Sequence, residues 1–254
     1  MWTRKMLKTK AKKNLENKYG LSVLTSFLKD LLYSSGQGAV SLIVLLPFFF
    51  IFYFVILFSV SKGIHFEDPW QTVTAFGIII LFYLFFVFLT FVLYLLCATF
   101  LGSPLEVGCK RYYLHIWQEK PDIAQLFYAF EQNYKNTCKV MFSVLWRITV
   151  WTFLFFVPGI YYQYVYRFVS YLLAENPNLT PEAARSLSRR MTDGQKGNIF
   201  VLDLSFLGWI FLTLFTCGIG FYFLLPYMEA TYAELFLACR TEAIQNGKVR
   251  PEEF

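Results

Sequence analysis

Long apolar runs alternate with short polar and basic stretches along the whole chain. Most runs approach the ~20 residues that a helix needs to cross the hydrocarbon core of a bilayer. They predict six transmembrane helices in three hairpins, at about 39–60, 73–101, 140–157, 160–174, 199–216 and 221–238. The pattern therefore predicts an all-α integral membrane fold, with one polytopic membrane domain over residues 1–254.

Two short breaks divide apolar runs that would otherwise be too long for one span. Pro158-Gly159 separates the third predicted span from the fourth, and residues 217–220 separate the fifth from the sixth. Pro and Gly favour turns, so each break predicts a tight hairpin. Each break also has a Gly-Ile pair that follows a tryptophan, Trp151 or Trp209. This repetition fits either a duplicated architecture, which is common in transporters, or shared turn chemistry.

Amphipathic segments precede the hairpins. Residues 21–32 and 123–130 carry apolar side chains at helical spacing, and both are predicted as helices that lie in the membrane interface. The first belongs to a basic N-terminal segment, residues 1–38, and is expected to break at 34–38. Thr180 and Pro181 form an N-cap and first-turn pair, which predicts a basic cytoplasmic helix that ends near Gly194.

Composition excludes most other classes of protein. Of the 254 residues 57% are hydrophobic, 21% are aromatic and only 16% are charged, whereas soluble domains carry about 25% charged residues. A water-soluble fold of this length has too little interior for so much apolar side chain. The same composition excludes disordered chains, coiled coils, collagen and nucleic-acid-binding modules.

The basic residues predict how the chain is oriented. Eight of the 23 Lys and Arg residues precede the first span, five lie in 102–139, four in 176–197 and three in the tail. The three predicted outer turns hold one between them. Because cytoplasmic loops carry the excess of Lys and Arg, both termini and both long loops are predicted to be cytoplasmic.

No cofactor, metal or catalytic motif is indicated. The five Cys are dispersed and include no C-x-x-C pair, and the two His lie far apart in the sequence. Nucleophile-elbow, zinc-protease and nucleotide-binding motifs are all missing. We therefore expect no enzymatic activity, and no nucleic-acid partner.

Ionisable residues within the predicted spans are the main candidates for a functional site. Such groups usually face a partner or a water-filled cavity, because a lone charge in the bilayer is costly. Helical rise predicts one shared layer for Arg147, Asp203 and Glu234 and a pairing of Arg167 with Glu229. They form either a polar pathway or headgroup cleft, or structural ion pairs that fix helix register.

A second set of candidates is cytoplasmic and basic. These residues suit anionic lipid headgroups or a protein partner, or they only express the positive-inside bias. The set consists of Lys110, Arg111, Arg185, Arg189, Arg190 and Lys196.

Several stretches resemble an uncharacterised family of bacterial membrane proteins. The longest is M-T-D-G-Q-K-G-N-I-F-V-L-D-L-S-F-L-G-W-I-F-L-T-L-F-T-C-G-I-G-F-Y-F-L-L-P-Y at 191–227, and shorter ones are V-G-C-K-R-Y-Y at 107–113, F-V-P-G-I at 156–160 and N-P-N-L-T-P-E-A at 176–183. They resemble the domain-of-unknown-function family nine-seven-five, found mainly in Gram-positive bacteria. The family is also distantly similar to the membrane domain of some bacterial glycerophosphodiesterases. The resemblance implies a six-helix fold in the bacterial plasma membrane, and it implies no catalytic or binding residues.

Two functions remain open, and a third, a membrane-embedded enzyme, has only Asp203, Glu229 and Glu234 in its favour. Repeated hairpins, Gly- and Pro-broken helices and buried charges favour a transport-class protein or export accessory for a lipid or amphipathic peptide. Small size and short outer turns favour a membrane scaffold or immunity-type protein that acts through a protein partner or as a homo-oligomer.

Overall fold

The structure is a computed structural model that describes residues 2–61, 69–117, 122–216 and 218–254. Within these ranges the chain is all-helical and has no strand. Its α-helices are α1 (Arg4–Leu15), α2 (Tyr19–Ser61), α3 (Pro69–Cys97), α4 (Ser103–Leu114), α5 (Tyr128–Glu131), α6 (Tyr134–Leu154), α7 (Phe156–Val165), α8 (Val169–Glu175), α9 (Pro181–Thr192), α10 (Lys196–Leu214) and α11 (Ile219–Gln245). Most of the predicted first loop, residues 62–68, lies outside the described ranges.

The chain divides into two compact units. One consists of Met1–Leu31 with Gly102–Phe254, and its largest fully buried side chains include Tyr112, Phe168 and Phe236. The other consists of Leu32–Leu101, where aromatic rings such as Phe48 and Phe86 pack 5.4 Å apart. Each unit therefore has aromatic packing of its own.

Four stretches of helix are long and apolar enough to cross a membrane. Among the described residues they are Tyr19–Phe54, Gly77–Leu114, Tyr134–Leu154 and Lys196–Leu214. In Tyr19–Phe54 only 6% of the most apolar 18-residue window is buried within the protein, and in Gly77–Leu114 none of that window is buried. These exposed apolar faces are those of a membrane protein, since water would not solvate them.

Two of the six predicted spans are not among these four. The run at 160–174 is divided at residues 166–168 into α7 and α8, which have 10 and 7 residues. The run at 221–238 lies in the 27-residue α11, which is less apolar because it contains Glu229 and Glu234. Neither is by itself a long, uniformly apolar helix.

The predicted break at 34–38 is wrong, because α2 continues through it for 43 residues. Glycine inside a helix costs only about 1 kcal/mol relative to alanine, which packing can offset. At Gly36 the packing is tight, since an added Cβ would lie 3.2 Å from the Cys97 sulfur and closer still to the Leu101 side chain. The small residue that suggested a break instead permits close approach.

The first hairpin turn lies three residues before the predicted one. Phe155 is extended, with φ −149° and ψ 118°, and it separates α6 from α7. Pro158-Gly159 lies in the first turn of α7, where Pro is well tolerated. Helices α6 and α7 pack closely beyond this turn, where the rings of Trp151 and Tyr162 stack with centroids 5.4 Å apart.

The second hairpin turn and the cap of α9 agree with the sequence. Gly218 takes a left-handed backbone with φ 83°, which glycine adopts without strain, directly before α11. The Thr180 hydroxyl accepts a hydrogen bond from the Ala183 amide at 3.3 Å, so the predicted N-cap is confirmed. Gly194 is also left-handed, just past the end of α9.

The segment predicted as an amphipathic helix at 123–130 is more irregular. It forms a 3-10 turn, Ile123–Phe127, followed by the single turn of α5. The chain here lies against α4 so closely that a Cβ on Gly108 would be 2.0 Å from the Leu126 carbonyl oxygen. This backbone contact fixes the segment on α4.

The basic N-terminal helix packs against the last long helix. Leu7, Ala11 and Leu15 form the buried face of α1, and the Asn14 amide donates to Glu234 Oε1 on α11 at 2.7 Å. The opposite face of α1 is exposed and carries mostly Lys and Arg.

Candidate functional site

One candidate site is centred on the carboxylate of Glu229 in α11. Lys110 of α4 approaches it at 2.6 Å, and the side chains of this pair are only 12% and 11% exposed. Lys29 of α2 lies 4.0 Å from the other carboxylate oxygen. We call Lys29, Lys110 and Glu229 the Glu229 cluster. Burying these charges is tolerable because each cation has a carboxylate within 4.0 Å, and Asp30, 3.4 Å from Lys29, supplies the second negative charge.

Arg167 and Asp203 form a second pair. Arg167 lies between α7 and α8, and its guanidinium donates to both Asp203 oxygens, at 2.6 and 2.9 Å. The Tyr164 hydroxyl also donates to Asp203 at 3.0 Å, and the Tyr232 ring lies 4.3 Å from the Arg167 guanidinium carbon. This two-point contact is the geometry that arginine uses for carboxylates and phosphates.

A single cavity joins the two groups of charges. It has a volume of about 330 Å³ and is lined by Lys110, Arg167, Glu229, Tyr171 and Tyr232, among others. Volumes of about 300–1,000 Å³ are typical of small-molecule sites. We call this space the charged cavity. Its wall combines two cations, two carboxylates, since Glu106 also lines it, and aromatic rings.

Tyr171 lines the charged cavity and is held firmly in place. Its side chain is 1% exposed, and its ring stacks on Phe236 at 5.1 Å. Its hydroxyl is buried without a hydrogen-bond partner among the described residues, which is costly.

The structure pairs the predicted charges differently from the sequence. Arg167 binds Asp203, not Glu229, whose nearest cation is Lys110. The pairing predicted from helical rise is wrong because that prediction treats 160–174 as one straight helix. The structure interrupts this helix at 166–168.

Arg147 and Glu234 lie away from the charged cavity. Arg147 is exposed on α6, although its neighbours Val144 and Ile148 line the cavity. Glu234 accepts from Asn14 and lines a separate pocket with Trp2 and Lys10. The structure therefore does not bring Arg147, Asp203 and Glu234 into one polar site.

Most of the predicted basic set makes contacts within the protein. Lys110 belongs to the Glu229 cluster, and Arg111 stacks 3.7 Å from the Tyr128 ring. Arg185 pairs with Glu182 at 3.0 Å, and Arg190 pairs with Glu253. Lys196 lies 3.7 Å from Asp193.

Arg189 is exposed on α9 and is the member best placed to meet an external anion.

The Arg190–Glu253 contact outside the predicted spans shifts a carboxyl group. Hydrogen bonds from the Arg190 side chain and then from the Arg250 amide lower the pKa of Glu253 to about 2. The pair joins α9 to the C-terminal tail, where the 3-10 turn Pro251–Glu253 follows α11.

Sequence reasoning did not single out Lys29, Tyr171 or Tyr232. In the sequence Lys29 is one of eight basic residues before the first span and lies on the polar side of the amphipathic segment 21–32. Tyr171 and Tyr232 occur in aromatic-rich runs that resemble interfacial belts. One signal for Lys29 was its place within an otherwise apolar stretch, directly before Asp30. Metal binding has no support in the described ranges, where no group of three or more His, Cys, Asp or Glu is close enough to hold an ion.

Comparison with known proteins identifies the class and then the family. A chain with these exposed apolar helices is a membrane protein. The family model described as "Protein of unknown function (DUF975)" matches residues 1–243, so the chain belongs to that family. No curated protein and no solved structure matches it. The distant similarity to glycerophosphodiesterase membrane domains stays a prediction.

Proposed function

We propose that this protein is a non-enzymatic, transport-class membrane protein or export accessory that handles a lipid or an amphipathic peptide. The observation that carries the proposal is the charged cavity, where Lys110, Arg167 and Glu229 line one space of about 330 Å³. Ionisable groups at a cavity within a membrane protein commonly mark a substrate pathway.

The chemistry of the cavity suits an amphiphile with an anionic or zwitterionic group. An entering phosphate or carboxylate can take the place of Asp203 on the Arg167 fork, since both present the same pair of oxygens. The aromatic rings of Tyr171 and Tyr232 supply apolar contact beside these polar groups.

The proposed setting is the bacterial plasma membrane, with six spans and both termini in the cytoplasm. The distribution of Lys and Arg supports this orientation, because the predicted outer turns hold only one of the 23. α7 with α8, and α11, are then the fourth and sixth spans, each interrupted or charged within the bilayer. Interrupted helices at a binding site are typical of transporters.

The alternative role is a membrane scaffold or immunity-type protein. It is favoured by the way the buried charges neutralise each other, Lys110 with Glu229 and Arg167 with Asp203. Closed pairs of this kind fix helix register without any substrate. In that role the cavity would stay dry and inaccessible.

Thiol labelling distinguishes the two roles. In a background without the native Cys, Ser170→Cys places a thiol on the wall of the charged cavity. Leu207→Cys places one halfway along α10, on a side chain that is 53% exposed. Transport predicts that a membrane-impermeant maleimide, added to one side of sealed vesicles, labels Ser170→Cys and leaves Leu207→Cys, which would face lipid, unlabelled. An inert Ser170→Cys on both sides would remove the support for transport and favour the scaffold.

A further inference from the structure

A second, larger cavity lies within the unit that contains both termini. It is a groove of about 700 Å³ between the end of α1 with the start of α2 on one side and the α10–α11 hairpin on the other. It shares no lining residue with the charged cavity. We call it the α1–α11 groove.

The lining of the α1–α11 groove is mostly apolar, with polar residues such as Lys12, Glu16 and Thr216. We call the part around Lys12 its polar end. Lys12 is exposed at the end of α1, with its ammonium 5.8 Å from the Tyr227 ring. Trp209 and Leu212 of α10, with Phe223 and Leu224 of α11, supply an apolar wall. The Tyr19 hydroxyl, which donates to the Phe223 carbonyl, ties the start of α2 to that wall.

The charge around the polar end is strongly positive. The 12 residues of α1 include six Lys or Arg and no acidic residue, and Lys12 and Lys13 occupy the last turn. Glu16 is the one acidic residue that lines the groove within the described ranges. Cations beside an apolar groove complement an amphiphile with an anionic headgroup.

We propose that the α1–α11 groove binds one anionic phospholipid, with its headgroup at Lys12 and an acyl chain along the α10–α11 hairpin. The wall belongs in part to α10, which is apolar and long enough to span the bilayer, so a chain in the groove is continuous with the lipid phase. A single Lys near an anionic headgroup is worth about fivefold in affinity. The proposal is independent of transport and of the six-span orientation. It concerns a different set of residues and requires only that α1 and the start of α2 lie beside the start of α11, where the Tyr19 hydroxyl donates to the Phe223 carbonyl.

Native mass spectrometry tests this occupant directly. The protein is reconstituted in nanodiscs of equal phosphatidylglycerol and phosphatidylcholine, released gently, and its retained lipids are counted. We expect one retained phosphatidylglycerol, in excess of phosphatidylcholine by about fivefold or more. Equal retention of the two lipids would overturn the proposal without any variant being needed.

Matched variants locate the lipid. Lys12→Gln should reduce the preference for phosphatidylglycerol about fivefold, whereas Lys13→Gln, which changes an exposed neighbour outside the groove, should not. Leu224→Trp fills the groove and should abolish retention, whereas Leu207→Trp on the exposed face of α10 should not. Circular dichroism and gel filtration establish that each variant folds.

Two outcomes would show another occupant or none. Full retention of phosphatidylglycerol by Leu224→Trp would place the lipid elsewhere on the surface. A peptide, or a second copy of the chain, that is bound to the natural sequence and lost from Leu224→Trp would show that the groove holds protein. Either result overturns the assignment, and neither bears on the labelling of Ser170→Cys in the charged cavity.

Discussion

Asp203 receives hydrogen bonds from the side chains of Arg167 and Tyr164. Replacing it should lower the free energy of unfolding, because the Arg167 charge then has no counter-charge. Asp203→Asn leaves the guanidinium without its counter-charge in a partly buried place, where the side chains are 21% and 26% exposed. Removing one partner of a buried pair costs about 3–5 kcal/mol, and partial exposure reduces this to about 2 kcal/mol here. Reversible unfolding in mixed micelles measures the free energy of unfolding.

A double replacement separates structure from function at this pair. Arg167→Met combined with Asp203→Leu should recover most of the lost stability, because no unpaired charge remains. Asp193→Asn is the matched control, since that carboxylate is 68% exposed and pairs with Lys196 at the surface. It should cost less than about 1 kcal/mol. A double variant no more stable than Asp203→Asn would refute this account.

The Arg190–Glu253 pair should make stability depend on pH in the acid range. Because the pKa of Glu253 is lowered from 4.5 to about 2, the folded state favours the ionised carboxyl. The contribution is therefore complete above about pH 4.5 and is lost as the pH falls towards 2. The stability difference between the natural sequence and Glu253→Gln should be below about 1 kcal/mol at pH 7 and shrink towards zero near pH 2.

Thermal unfolding of the detergent-solubilised protein across this pH range measures the difference. Glu252→Gln, one residue away and exposed, is the control and should behave as the natural sequence. A difference for Glu253→Gln that grows as the pH falls would have the wrong sign.

At the scale of the helices, the contact between α4 and the 3-10 turn Ile123–Phe127 depends on one missing side chain. An alanine at 108 would place its Cβ 2.0 Å from the Leu126 carbonyl oxygen, which is backbone and cannot rotate away. Gly108→Ala should therefore lower the free energy of unfolding by about 1–3 kcal/mol.

Gly208→Ala provides the comparison within a helix. Nothing lies within 4 Å of a Cβ added there, and alanine is the better helix former, so stability should be unchanged or rise by up to about 1 kcal/mol. The same micelle unfolding measurement serves both variants. Equal effects at the two positions would show that the approach to Leu126 is not tight.

The sequence predicts helices well where an apolar run has clear ends. The fifth predicted span, 199–216, differs by only a few residues from α10 (Lys196–Leu214), because Gly194 and Gly218 end the helices on either side. The turn at Phe155 could not be predicted in the same way. Pro158 is as compatible with the first turn of a helix as with a hairpin, and packing decides between them.

The candidate site was predictable in kind but not in its partners. Arg167, Asp203 and Glu229 were found because charges within apolar runs are conspicuous. Their pairing depended on the turn at 166–168, which no Pro or Gly marks. Lys29 approaches Glu229, and Tyr171 lines the cavity, through tertiary packing alone, and periodicity contains no information about that.

At the scale of the whole molecule, the distribution of charge makes a definite prediction of topology. A reporter enzyme active only in the periplasm or outside, fused after Phe254, should be inactive, and a fluorescent protein that folds only in the cytoplasm should be bright there. The physical reason is the cost of moving clustered Lys and Arg across the membrane. The control fusion lies at residue 66, in the predicted first outer loop, and should give the opposite result. An active exterior reporter after Phe254 would contradict six spans with cytoplasmic termini.

The packing of α1 against α11 has a consequence for biosynthesis. Asn14 and Glu234 are 220 residues apart in the chain. Helix α1 therefore leaves the ribosome long before α11, the helix against which it packs. Until translation ends, the apolar stripe of Leu7, Ala11 and Leu15 has no permanent partner. At ordinary rates of synthesis, about 5–20 residues per second, this interval lasts roughly 10–40 s. A nascent chain stalled before residue 219 should accordingly leave its N-terminal helix open to proteolysis, and release of the completed chain should protect it.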